Sequence, residues 1–340
     1  LFIATVVLYV GICVFGFLMH TQLLFKPVRK PVFISVAEAI EKFGQQEEVV
    51  GVFDSVGEPY AFITRLARRP HIVYQPEGDN PFIMTHCILS HSSMAYEMGG
   101  KFKQPDIIIT AAMANNMVFY ERSNRCAMTQ MHNKPLDADF ALKLLPTISL
   151  SLKTWQALYP DTKVWVREKD WRDTFYLTLL ARADVIDPDS PVLVYPLQHK
   201  LDERLAMKSF VLGVELDNKF KAYPVSIFEN NQLIHNEFGN ISLLLVSAQN
   251  NDYLQIFNRN MGGQSLTFTS GQTKERFKDN ETGSEWNTQG LCIAGDFEGE
   301  QLECVPHYNK IFWFVWADYH PDTDIYSDAG TEQVLSQATA

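Results

Sequence analysis

The chain repeats itself, and the repeat limits what it can fold into. Val49-Val50-Gly51-Val52 returns as Val211-Leu212-Gly213-Val214, and Tyr60-Ala61-Phe62 returns as Lys221-Ala222-Tyr223. Ala95-Tyr96-Glu97 is answered by Ile256-Phe257-Asn258, and Thr129-Gln130 by Thr288-Gln289. The copies close alike: Trp155 with Pro160-Asp161-Thr162 matches Trp316 with Pro321-Asp322-Thr323. Five landmarks in one order, at offsets of 159 to 162 residues, describe a duplicated domain. The period is too long for a solenoid, and copies of about 115 residues are near the usual domain size.

The expected organisation follows: repeat one over 45–166, a connecting segment over 167–208, repeat two over 209–325 and a tail over 326–340. Asp184, Asp187, Pro188, Asp189 and Pro191 make the connecting segment rich in turn formers, while its stretch from Thr174 to Ala183 is apolar enough to pack. Within each copy, short β-branched or apolar runs bounded by turn residues read as strands, for example 106–110 and 241–246. Asn250-Asn251-Asp252 reads as a hairpin turn, and a helix is expected before each Pro-Asp-Thr. The predicted fold class is α+β and β-rich, two similar domains in tandem after an N-terminal transmembrane helix.

That helix is expected over 1–25, with more upstream. Leu1 to Phe25 holds no charged residue, and roughly 20 apolar residues cross a bilayer core of about 30 Å. Gly11 and Gly16 are tolerable in such a helix. A signal peptide is the rival reading, but no small-residue cleavage site follows the run. Lys26, Arg29 and Lys30 favour a cytoplasmic flank by the positive-inside rule, although large domains translocate regardless of a few charges.

The 29 basic and 40 acidic residues give a net charge of -11, which argues against nucleic acid as a partner. Five cysteines in 340 residues are too few for a disulfide scaffold. Cys292 and Cys304 could pair in an exported body or stay buried as free thiols. His235 and His307 read as turn or surface histidines.

The densest chemical signal lies in repeat one, where seven of the ten methionines fall between Met84 and Met131. His86, Cys87, His91, Cys126 and His132 share that stretch. Thiolate, thioether and imidazole donors together suit Cu(I), so Met84, His86, Cys87, His91 and Met94 are the candidate copper ligands. Strand alternation sets His86 and Cys87 on opposite faces, which makes Cys87 with His91 the better pair. The competing reading is packing, because methionine is a flexible core filler. Cys87 is also the candidate thiol nucleophile, with His91 or His132 as base and Asn115, Asn116 or Asn133 to orient it. No P-loop, zinc-protease helix, nucleophile elbow or dinucleotide fingerprint is present. Phe312, Trp313, Phe314 and Trp316 form a terminal aromatic cluster, read as core or as a docking surface.

Leu212-Gly213-Val214-Glu215 with Lys221-Ala222-Tyr223-Pro224, the run from Asn280 to Gly290 and the closing Trp-x4-Pro-Asp-Thr together resemble the bacterial domain-of-unknown-function family DUF3179. The resemblance is clearer over 209–325 than over 45–166 and reads as tandem copies of the family. It implies a body on the extracytoplasmic (periplasmic) side of a membrane and carries no settled activity. The family's strand motif resembles Thr-Tyr-Cys-x-x-Cys. Here the corresponding run is Thr85-His86-Cys87-Ile-Leu-Ser90-His91, and repeat two has neither cysteine. The expected function is therefore a membrane-anchored accessory or scaffold protein of the cell envelope, docked to a larger membrane-protein complex and not an enzyme. A copper-handling protein is the alternative and a thiol enzyme using Cys87 the third reading.

Overall fold

The computed structural model describes residues 2–327 apart from residues 133, 134, 138, 139, 141, 180–186, 188, 272 and 274. Asn133 and most of the 326–340 tail lie outside the described residues.

The first half holds β1 (Val32–Ser35), β2 (Glu48–Phe53), β3 (Pro59–Ile63), β4 (Ile72–Gln75), β5 (Phe82–Cys87) and β6 (Ser92–Glu97). It continues with β7 (Ile107–Met113), β8 (Asn116–Glu121), β9 (Cys126–Thr129), β10 (Leu144–Leu145), β11 (Thr147–Ser151) and β12 (Lys163–Val166). The second half holds β13 (Phe210–Leu216), β14 (Lys219–Pro224), β15 (Leu233–Phe238), β16 (Ile241–Ala248), β17 (Tyr253–Asn258), β18 (Asn260–Met261) and β19 (Gln264–Ser265). After these come β20 (Phe268–Ser270), β21 (Arg276–Asp279), β22 (Glu285–Asn287), β23 (Cys292–Ala294), β24 (Glu303–Cys304), β25 (Tyr308–Phe312) and β26 (Asp324–Ile325). The chain is β-rich with some helix.

The sheets of the two halves follow the same strand order. The first half runs β1-β12-β3-β2-β11, and the second runs β26-β14-β13-β25. In each, the central hairpin is antiparallel and its outer neighbour is parallel. A second sheet runs β10-β6-β5-β4 in one half and β24-β17-β16-β15 in the other. A third is β7-β8-β9 against β20-β21-β22-β23.

The repeated glycine and tryptophan explain one another. Helices Leu152–Leu158 and Trp313–Tyr319 each lay an indole ring on the strand glycine of their own half. A Cβ at Gly213 would stand 2.5 Å from the Trp316 ring, and one at Gly51 would meet Trp155 closer still. Each indole N–H then donates to the repeated threonine: Trp155 Nε1 to Thr162 Oγ1 at 2.7 Å, and Trp316 Nε1 to Thr323 Oγ1 at 2.9 Å. The aromatic cluster at 312–316 is wholly buried, so it is core and not a docking surface.

One apolar core runs through both halves, from Met94, Met117 and Phe119 to Ile311, Trp313 and Trp316. The polar ties between them are reciprocal. The β11 residue Ser151 donates its backbone N–H at 3.0 Å and its hydroxyl at 2.7 Å to Asp252 in the β16–β17 turn. Phe312 of β25, which stands 161 residues on from Ser151, donates its N–H at 3.0 Å to Ser90 in the β5–β6 turn.

The N-terminal helix is shorter than the span expected over 1–25. The helix is Phe2–Leu18, 17 residues, and ends before a second short helix at Thr21–Leu24. At 1.5 Å per residue it is about 25 Å long, and no helix among the described residues is long and apolar enough to cross a membrane. None of its residues is buried. Its foot, by contrast, is clamped. Arg69 Nη1 donates to Leu24 O at 2.9 Å and Arg172 Nη1 to Leu23 O at 3.1 Å, capping the last carbonyls of the short helix. Asp173 holds Arg69 and Arg167, and Asp170 holds Arg69 and Arg172. The arginine hydrogen bonds hold the Asp170 carboxyl down to about 2. Arg172 belongs to the helix Trp171–Leu179, which lies within the connecting segment.

Gly213→Ala should destabilise the protein by about 1–3 kcal/mol through overpacking against Trp316. Gly51→Ala should cost at least as much. The check is the urea unfolding midpoint, and a loss below half a kilocalorie per mole in both variants would refute the contact's importance.

Candidate functional site

The β5–β6 hairpin carries the residues singled out from the sequence, and its geometry separates them. Thr85 of β5 faces Met94 of β6 across the ladder. Met84 and Met94 therefore lie on opposite faces of the sheet, Met84 in the core under β2 and β3, and Met94 in the core shared by both halves. β5 ends at Cys87, and the chain reverses through a turn in which His91 takes a left-handed φ of 55°. The regular alternation that would pair Cys87 with His91 stops there. His86 and His91 come together instead, ring centroids 6.1 Å apart and edge-on. Among the described residues no group of three or more His, Cys, Asp or Glu is placed to hold a metal ion. The methionines pack: Met94, Met117, Met128 and Met131 belong to one buried cluster. The copper reading is not carried forward.

His91 belongs to a charged cluster between the halves. Its Nδ1–H donates to Lys310 O at 3.1 Å, and its Nε2 faces Glu48 Oε2 at 3.5 Å. Lys310 in turn donates from Nζ to Asp252 O at 3.0 Å. Glu48 is held down to about 2 against its burial by the charge and hydrogen bond of His91, and His91 is raised against its own burial by Glu48. His91 and Asp252 are 161 residues apart, the offset that separates Trp155 from Trp316, so equivalent turns supply the two ends of this cluster. Glu48, Lys310 and Asp252 were missed in the sequence, yet that offset pointed to the last.

Behind the hairpin lies a fully buried polar network. Ser90 and Ser92 hydroxyls share a hydrogen bond of 2.7 Å, Asn116 Nδ2 donates to Ser90 Oγ at 2.9 Å, and Gln130 Nε2 donates to Thr85 Oγ1 at 3.0 Å. Ser90, which stands where the resemblance places a second cysteine, is thus a structural hydroxyl. Asn115 is occupied too: its amide carbonyl accepts from Val194 N and Tyr195 N. His132, the other candidate base, packs against Tyr319 and His320. Cys292 and Cys304 are free thiols, and burial pushes Cys304 up to about 12. His307 is buried at 2% exposure and not a surface residue.

Cys87, 2% exposed, lies in a different place. It lines a cavity of about 390 Å³ beneath the foot of the N-terminal helix, with Phe25, His71, Ile109, Met117 and Tyr176 around it. No Asp, Glu, Lys or Arg is among the described lining residues. His71 Nδ1 faces His86 O at 2.9 Å, and a carbonyl only accepts, so that nitrogen carries the proton. Tyr176 then donates its hydroxyl to His71 Nε2 at 3.3 Å. Burial pushes His71 down to about 4, so it is neutral at pH 7. Phe25 packs on both rings at 5.0 Å. The cavity lacks the cationic neighbours that activate catalytic cysteines, and both nitrogens of its histidine are engaged.

The comparisons agree with a fold of this extent. The chain matches the family described as "Protein of unknown function (DUF3179)" over residues 26–323, and it belongs to that family. One match spans both halves. No curated protein and no solved structure is significantly similar to the chain.

His71, His86, His307 and His320 are all pushed below their ordinary value, chiefly by burial. A histidine depressed in the fold binds its proton more readily when unfolded, so its contribution is intact above about pH 6.5 and fades as pH falls toward 4. His91 is raised and acts oppositely: its contribution is full below about pH 6.5 and fades as pH rises through its folded value. Four groups against one predict a urea midpoint that drops between pH 6.5 and pH 4.5. A midpoint flat across that window would contradict the burial of these rings.

Proposed function

We propose that this protein is a membrane-anchored accessory protein of the cell envelope, its body built from tandem copies of one unit. The observation that carries the anchor is the helix Phe2–Leu18, apolar on every side with none of its residues buried. At seventeen residues the helix falls short of a full bilayer crossing. A short helix is accommodated by local thinning of the bilayer at a modest cost. Trp171, 55% exposed beside the clamped foot, suits the interface where tryptophan is favoured.

The clamp supports an accessory role. A flexible tether would need no arginines on the last carbonyls of the foot; this one orients the body. The net charge of -11 keeps that body from lying flat on anionic lipid. It stands off the bilayer, on the extracytoplasmic side as the family resemblance implies, and presents its surface to a neighbouring membrane protein. The shared strand order and the repeated glycine–tryptophan–threonine lock support the tandem origin.

In membrane fractionation the protein should pellet and resist alkaline carbonate. Val7→Lys with Ile12→Lys should release a folded body into the soluble fraction, because each lysine at the centre of a span costs about 2.5–3.5 kcal/mol. Wild-type protein recovered soluble without detergent would overturn the anchor, and a body protected from external protease would overturn its orientation.

A further inference from the structure

We propose that the cavity beneath the N-terminal helix receives one acyl chain of a membrane lipid. The inference rests on the membrane reading and goes beyond it by naming a ligand class and a site. The cavity begins where the apolar helix ends: Met19, which follows Phe2–Leu18, and Thr21, which opens the short helix, are part of its wall. An acyl chain beside the end of the helix would reach the cavity past Met19. Its volume, about 390 Å³, lies in the range of ligand pockets.

The chemistry of the wall selects the occupant. Ile88, Leu89, Ile109, Ala112 and Met117 present hydrocarbon and sulfur, and no charged side chain is among the described lining residues. Of the polar side chains that line it, His71, Thr110 and Tyr176 are already engaged. His71 uses one ring nitrogen on His86 O and the other on Tyr176. A sugar, nucleotide or carboxylate would leave its own polar groups unpaired in this space, which is costly. A hydrocarbon chain has none to satisfy, and its burial is favoured in proportion to the apolar area removed from water.

The test uses the full chain reconstituted in vesicles of phosphatidylcholine and phosphatidylglycerol, with a terminal diazirine on one acyl chain of the phosphatidylcholine. After illumination, peptide mass spectrometry locates the cross-links. Cross-links on both Phe2–Leu18 and the cavity residues Ile88, Leu89, Ile109 or Met117 are expected. Ala112→Trp, at a partly exposed wall position, should abolish the cavity cross-links and leave those on the helix; Ala111→Trp, at an exposed one, is the second variant should the first misfold. Helix cross-links without cavity cross-links would overturn the acyl-chain site and leave the anchor standing. Cavity cross-links that persist in a correctly folded Ala112→Trp would overturn it too. Loss of cross-links on the helix itself would overturn the anchor reading.

Discussion

Two indole rings lying on two glycines organise this protein. Trp155 covers Gly51 and Trp316 covers Gly213, at a spacing no side chain could share. Each contact sets the distance between a helix and the central hairpin of its sheet, and each indole N–H is tied to a threonine just beyond the helix. The turn that returns the chain to the sheet as β12 or β26 is thereby fixed as well. Helix, hairpin and returning parallel strand are one unit, and it occurs twice.

The halves are joined by exchange as well as by a shared core. Each sends the end of a strand to a turn of the other, Ser151 to Asp252 and Phe312 to Ser90. Between these ties sit Glu48 and His91 of one half and Lys310 of the other, with His91 bonded across the interface to Lys310 O. A protonated His91 donates from both ring nitrogens, one to a carbonyl and one to a carboxylate, which suits a charged imidazole. The ties are reciprocal in topology and unequal in side chains, since the turn residue that is histidine in one half is aspartate in the other.

Much of this was legible in the residues. The repeat offset anticipated a paired architecture, and Pro-Asp-Thr after an apolar run marked where each helix stops, because proline cannot continue one. The hairpin turn at Asn250 to Asp252 was visible for the same kind of local reason. The site was not. Alternation along β5 predicted a Cys87–His91 pair, and a left-handed turn at His91 broke the alternation one residue past the strand. Methionine density suggested soft-metal ligands, but donor type says nothing about which face of a sheet a side chain takes. The neutral cavity was invisible because its walls come from seven separate stretches of chain between Met19 and Tyr195. Hydrophobicity showed that these stretches are buried without showing that they leave a space between them.

The clamped foot has a mechanical meaning. A helix joined to its body by a flexible hinge can lean without disturbing what it carries. Here the arginines on Leu23 O and Leu24 O fix the end of the short helix to the body. Were the proposed anchor seated in a bilayer, a change in thickness that tilts it would reach the body through these two carbonyls, beside the cavity wall that Met19 helps to form.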